Sequence, residues 1–157
     1  MPDMLVKLYE LPDSTELYKE LSESGIRIIR PLTPNKTKIH DWVKTQFSEG
    51  WADEIDAAFT RHPVSCFIAY NDNEKSVVGF AGYDCTYKAF FGPTGVDEAY
   101  RGKGIGRALC LRCMEALRDE GYAYAIIGSA GPLDFYKKIC GAVVIGGSDP
   151  GIYANLI

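Results

Sequence analysis

Three glycines spaced two apart, Gly102, Gly104 and Gly106, stand among Arg101, Lys103 and Arg107, and residues of these types at this spacing can hold an anion. Lacking a Cβ, glycine lets the backbone bring its N–H groups close to a ligand. The stretch that follows carries Leu109, Cys113, Ala116 and Leu117 on one helical face. The glycines therefore open a helix whose positive end points at the same place, and phosphate is the expected guest. Arg112 and Arg118 add to the basic excess, with Glu115 the single acid among them, in a chain of net charge −4.

Other phosphate motifs do not fit. A dinucleotide turn, G-x-G-x-x-G, started at Gly102 needs glycine or alanine where Arg107 stands, and the P-loop pattern G-x-x-x-x-G-K-[ST] is absent. The pattern R/Q-x-x-G-x-G/A does fit, as Arg101-Gly102-Lys103-Gly104-Ile105-Gly106. An apolar strand-like run ending at Val96 precedes it, a helix follows it, and Phe135-Tyr136 comes about thirty residues later. On these residues the sequence resembles the GNAT superfamily of acyl-CoA-dependent N-acetyltransferases.

The resemblance implies acetyl-CoA as co-substrate and no metal. It gives the coenzyme pyrophosphate to Arg101, Gly102, Lys103, Gly104, Ile105, Gly106 and Arg107, and the pantetheine arm to Gly95, Val96 and Ser129. It places the backbone N–H of Val96 against the thioester oxygen, where such a donor is worth roughly 10²–10³ in rate. It makes Tyr136 the acid that protonates the departing thiolate, a contribution of about 10²–10⁴. Two departures stand out. The usual ending Y-x-x-x-G-F is here Tyr136-Lys137-Lys138-Ile139-Cys140-Gly141-Ala142, and Ser129 occupies a position where relatives often carry asparagine.

The elements that must position these groups read in order. Residues 1–25 form an N-terminal extension: an edge strand over 4–11, then a helix opened by Asp13 and Glu16 as a capping box and ended by Gly25. It is expected to serve as an extra layer or a dimer contact. Residues 26–157 form the single domain covered by the resemblance. Strands are expected over 26–30, 64–70, 76–83, 89–96, 122–127, 143–145 and 152–156, the last two closing the sheet as an antiparallel pair. Helices are expected from Thr33-Pro34 to Gly50, from Trp51 to before Pro63, after the glycines, and over 133–139. Gly92-Pro93 and Gly95 inside a strand signal a bulge or a close backbone approach. With this element order, the resemblance implies the fold class α/β (α+β): a GNAT-like mixed, mostly antiparallel twisted sheet with a splayed central parallel pair, flanked by helices.

Composition bounds the rest. A chain of 157 residues with 46% hydrophobic content can bury one full core. Its five cysteines, an odd number without framework spacing, suit reduced thiols, and Cys110-x-x-Cys113 reads as helix packing rather than half a metal site. The chain has no leader-like start or membrane-length apolar run, so a cytoplasmic protein without a membrane partner is expected. An acidic chain with its cations gathered at one loop does not read as a nucleic-acid binder. A homodimer is compatible with the resemblance.

The acceptor is expected to be a primary amine of a small molecule, since Glu49, Asp53, Glu54 and Asp56 form an acidic stretch without lysine or arginine. A peptide or protein amine, and a non-catalytic acyl-CoA sensor, are the alternatives. No base is assigned; Glu49, Asp53, Glu54 and Asp84 are candidates, with His40 and His62 behind them.

Overall fold

The computed structural model describes residues 1–157. Along the chain run β1 (Met4–Lys7), α1 (Thr15–Glu23), β2 (Ile26–Ile29), α2 (Lys36–Gln46), α3 (Glu49–Asp56), β3 (Cys66–Asn71) and β4 (Ser76–Tyr83). They are followed by β5 (Phe90–Val96), α4 (Ile105–Asp119), β6 (Tyr124–Ile127), α5 (Leu133–Cys140) and β7 (Val143–Val144). The strands make one sheet in the order β2-β3-β4-β5-β6-β1-β7. Every pair is antiparallel except β5 with β6, so the mixed sheet with a central parallel pair is present as the pattern implies.

Side-chain alternation along the inner strands builds two cores. On β3, Phe67 and Ala69 face a layer containing α1, α4 and α5, whereas Cys66 and Ile68 face α2 and α3. Both faces are covered, which explains why β3 reads as a nearly continuous apolar run. In α4, Ile105, Ala108, Leu109, Leu111 and Met114 are all buried, while Ile39, Val43, Ala52 and Ile55 anchor the opposite layer. The acid among the cations of α4 docks α1: Glu115 accepts hydrogen bonds from Ser14 Oγ at 2.6 Å and the Tyr18 hydroxyl at 3.0 Å.

The ends of the chain depart from the sequence pattern. The strand expected at an edge lies inside the sheet: β1 pairs with β6 through Met4↔Ile127 and with β7 through Met4↔Val144. Met4 and Val6 are fully buried there. The strand expected over 152–156 as the partner of 143–145 does not form: Val143–Val144 pairs with β1 and leaves β7 as the edge of the sheet. That segment instead makes a 3-10 turn, Gly151–Asn155, directly after Pro150. Smaller differences concern helix ends. Asp13 accepts the Thr15 N–H at 2.9 Å instead of completing a capping box, because Ser14 holds the cap position. Gly50 lies inside α3, whose first turn is capped by Ser48 Oγ accepting the Trp51 N–H at 3.1 Å.

An interior β1 has an energetic signature. Met4→Ala removes a fully buried side chain and should cost about 2–5 kcal/mol. Urea unfolding reads this directly, and a loss within a few tenths of a kcal/mol would return β1 to the role of a dispensable edge.

Candidate active site

The parallel pair is short. β5 and β6 meet only at Phe90↔Ile126 and Phe91↔Ile127, with the Ile126 N–H bonded to the Ala89 carbonyl at 2.8 Å. Beyond Phe91, β5 continues to Val96 paired with β4 alone. A wedge therefore opens between residues 92–96 and 128–131, bounded by β5 on one side and the end of β6 on the other. The Asp97 N–H bonds the Val78 carbonyl of β4 at 2.8 Å. Successive N–H groups of an extended strand alternate in direction, so the Val96 N–H points away from β4 and into the wedge. Gly95 is required for another reason. A Cβ there would lie 2.4 Å from the Phe47 ring, which comes from the α2–α3 junction and rests on the β5 backbone.

The glycine turn stands at the mouth of this wedge. Gly102 and Gly104 have φ of +81° and +86°, a left-handed backbone that favours glycine, and Gly104 is the N-cap of α4. The first bond closing the helix runs from the Ala108 N–H to the Gly104 carbonyl at 3.0 Å. The amides of Ile105, Gly106 and Arg107 thus have no helical carbonyl to bond and face outward. A Cβ on Gly106 would be 3.7 Å from Val96 and 3.8 Å from Phe135, which shows how closely the turn, β5 and α5 approach. Arg101, Lys103 and Arg107 are exposed, and every salt bridge of the chain involves other residues. Arg112 and Arg118 do not join them. The Arg112 guanidinium lies over the Tyr18 ring at 5.3 Å, and Arg118 pairs with Asp119 at 3.4 Å.

Tyr136 sits at the apex. Its ring meets that of Phe91, the last paired residue of β5, edge-on at 6.2 Å, and that of Phe135 at 5.2 Å. The residue is only 6% exposed. Its hydroxyl has no protein hydrogen bond, yet Ser65 Oγ is the only buried side-chain polar atom left without a partner. The phenol oxygen therefore reaches accessible space while the ring stays in the core. Burial, with a smaller contribution from Cys110 and Cys140, pushes its pKa above the usual tyrosine range, so the group is held as an acid. In the altered ending after it, Gly141 adopts φ +66° and caps α5, and Ala142 is buried.

Ser129, expected beside the pantetheine arm, lies on the β6 side of the wedge with φ +46°. Its N–H is already engaged by Asp3 Oδ1 at 2.8 Å.

The acid residues sort by what they touch. Asp84 is tied down by Arg61 at 2.5 Å and by the Ala89 N–H at 2.6 Å. Glu49 is exposed and pairs with Lys44 at 3.1 Å; Asp53 and His62 are exposed. His40 Nδ1 pairs with Asp56 at 3.0 Å, and with Asp53 they place three ligand-type atoms within 4.8 Å of one another. Glu54 differs. It is half-buried on α3 and accepts a hydrogen bond from Thr86 Oγ1. Beside this pair stands Tyr153, whose pKa is raised by burial and by Glu54 and Asp3. A Cβ on Gly128 would lie 2.4 Å from the Tyr153 hydroxyl and 2.9 Å from the Phe90 ring. Phe91 and Tyr136 thus mark the α4 face of the wedge, and Phe90, Tyr153 and Glu54 the α3 face. Asp3, Thr86 and Tyr153 carried no sequence signal, because they come from segments read as an extension, a turn and a strand.

The model of the acetyltransferase (GNAT) family matches residues 36–142, and the chain belongs to that family. No curated protein matches the sequence. Among solved structures, a GCN5-related glucosamine N-acetyltransferase region of a fungal multi-domain GH3 β-N-acetylglucosaminidase aligns at TM-score 0.74 and 14% identity, over 92% of this chain and 19% of that one. A GCN5-related N-acetyltransferase from Sphaerobacter thermophilus aligns at 0.67 and 17%, over 92% and 48%. A GNAT family acetyltransferase from Brucella melitensis, in complex with acetyl-CoA, aligns at 0.59 and 18%, over 78% and 88%. The chain thus spans a fifth to a half of the length of the first two. These likenesses establish the fold. No helix is long and apolar enough to cross a membrane.

The raised pKa of Tyr136 can be read optically. The difference between the ultraviolet titrations of wild type and Tyr136→Phe should contain no phenolate signal at pH 10, the ordinary tyrosine value. Half-ionisation at that pH would show that the phenol is solvated like a surface tyrosine.

Proposed function

We propose that this protein transfers an acetyl group from acetyl-CoA to a primary amine of a small molecule, within a ternary complex. The observation that carries the reading is the wedge itself: an inward-pointing Val96 N–H with unbonded helix amides at its mouth and a protonated tyrosine at its apex. The outward amides of α4 with Arg101, Lys103 and Arg107 hold the pyrophosphate, and the pantetheine arm lies along Gly95 and Val96 opposite Ser129. The amine nitrogen attacks the thioester carbonyl carbon. Negative charge gathers on its oxygen against the Val96 N–H, the C–S bond breaks, the thiolate takes the proton of Tyr136, and the surplus proton of the acylated nitrogen passes to water, from which the tyrosinate is reprotonated.

The α3 face supports a compact cationic acceptor. Glu54 presents a half-buried carboxylate beside Thr86, and Tyr153 in the C-terminal turn covers the base of the wedge at Gly128. A carboxylate in this position holds the ammonium form near the thioester. A lysine-like amine must then lose a proton, at a cost of about 4–5 kcal/mol at neutral pH.

Release of CoA thiol in the presence of D-glucosamine, tyramine, spermidine and ethanolamine is the direct assay. At least one amine should give turnover, with Tyr136→Phe lowering kcat by roughly 10²–10⁴. Glu54→Gln should raise the acceptor KM about tenfold and leave the KM for acetyl-CoA unchanged, as expected for a charge-assisted contact made by the acceptor alone. Stabilisation by acetyl-CoA without turnover of any amine would point to a sensor. An unchanged acceptor KM in Glu54→Gln would remove that carboxylate from the site.

A further inference from the structure

Asp3 is a buried acid, 7% exposed, that the chemistry above does not use. Its contacts are specific. Its N–H donates to Ser148 Oγ at 2.8 Å, and its carbonyl accepts from the Ile145 N–H at 2.9 Å. Its carboxylate accepts from the Ser129 N–H at 2.8 Å, and Oδ2 faces Gly151, where a Cβ would come within 3.3 Å. Next to it, the Pro2 carbonyl accepts the Ala130 N–H at 2.8 Å. The residue before β1 thus ties the loop after β6 to the segment after β7.

The bond to Ser129 matters most, because Ser129 has φ +46°. A side-chain-bearing residue rarely adopts that conformation and keeps it only where its surroundings over-determine it. Ser129 stands two residues beyond Ile127, the last β6 residue paired with β5, and so forms the wall that faces β5 across the wedge. A carboxylate accepting an N–H makes a stronger and shorter bond than a neutral acceptor, and a buried one is poorly screened.

We infer that Asp3 is a positioning residue for the coenzyme: its carboxylate, by holding the Ser129 amide, fixes the β6-side wall of the slot that receives the pantetheine arm. The inference rests on the acetyltransferase reading. It gives the N-terminal segment a part in coenzyme binding, beyond the layer or dimer contact that the sequence pattern implies.

The test compares three variants by calorimetric titration with acetyl-CoA and with CoA. Asp3→Ala should weaken both about tenfold. Asp3→Asn keeps an oxygen that can accept the Ser129 N–H and should stay within about threefold of wild type. Met4→Ala removes buried bulk from the same strand and leaves the Asp3 carboxylate and its bond to Ser129 in place; it should lower the melting temperature and leave both affinities within about twofold. Amide hydrogen exchange at Ser129 supplies a reading that needs no ligand, faster in Asp3→Ala and near wild type in Asp3→Asn. Wild-type affinity in Asp3→Ala, or equal weakening in Met4→Ala, overturns the positioning role while leaving the acetyltransferase reading intact. Weakening in Asp3→Asn equal to that in Asp3→Ala overturns the hydrogen bond as its means. A wild-type protein that binds neither acetyl-CoA nor CoA refutes the acetyltransferase reading and this inference together.

Discussion

Two neighbouring parallel strands that stop pairing partway leave backbone amides that must be satisfied by something else, and this molecule is arranged around that requirement. After Phe91 and Ile127, β5 and β6 diverge, although the sheet continues on both sides of them. An unbonded N–H costs free energy once it is removed from water, so the gap persists only if the surroundings hold it open or a ligand fills it. The surroundings do hold it. Phe47 presses on β5 at Gly95, Tyr136 wedges against Phe91, and Asp3 fixes Ser129. Each prop comes from a different part of the chain, and none belongs to β5 or β6.

Charge follows the same division. The amide end of α4 and three exposed cations without a carboxylate partner lie at the mouth of the wedge, while acids gather on the α3 face and beside the C-terminal turn. A polyanionic ligand and a cation would therefore be drawn to electrostatically different sides of the parted strands. The net charge of −4 conceals this separation, because only the local distribution acts on a ligand within a Debye length.

The site was legible where local chemistry forces a residue type. Gly102 and Gly104 take a left-handed backbone that favours glycine, and the cations among them form no salt bridge, so the turn and its helix stood out from sequence alone. The strands 66–71 and 76–83 were legible because both of their faces are buried. What failed was global. A four-residue strand looks the same at an edge or in the interior, and β1 is interior only because residues 124–127 and 143–144 flank it. The run Ile152-Tyr153-Ala154-Asn155-Leu156 has strand composition, yet it turns as a 3-10 segment directly after Pro150 and leaves the outer side of β7 open. The acids of the middle stretch also looked equivalent by position. Only the fold shows that Asp84 is consumed by Arg61 and the Ala89 amide, whereas Glu54 stands beside Thr86.

The insertion of β1 between β6 and β7 also shapes how the molecule can assemble. Met4 finds its partners at Ile127 and Val144, so the strand earliest in this sheet by sequence is the last whose neighbours exist. During synthesis, β2 to β5 with α4 can associate as soon as they emerge, while β1 must wait, unpaired, until residues 124–144 have left the ribosome. Closing so long a loop is entropically costly and slows the final step. The same step brings Asp3 to Ser129, so the wall of the wedge is completed only when the sheet is.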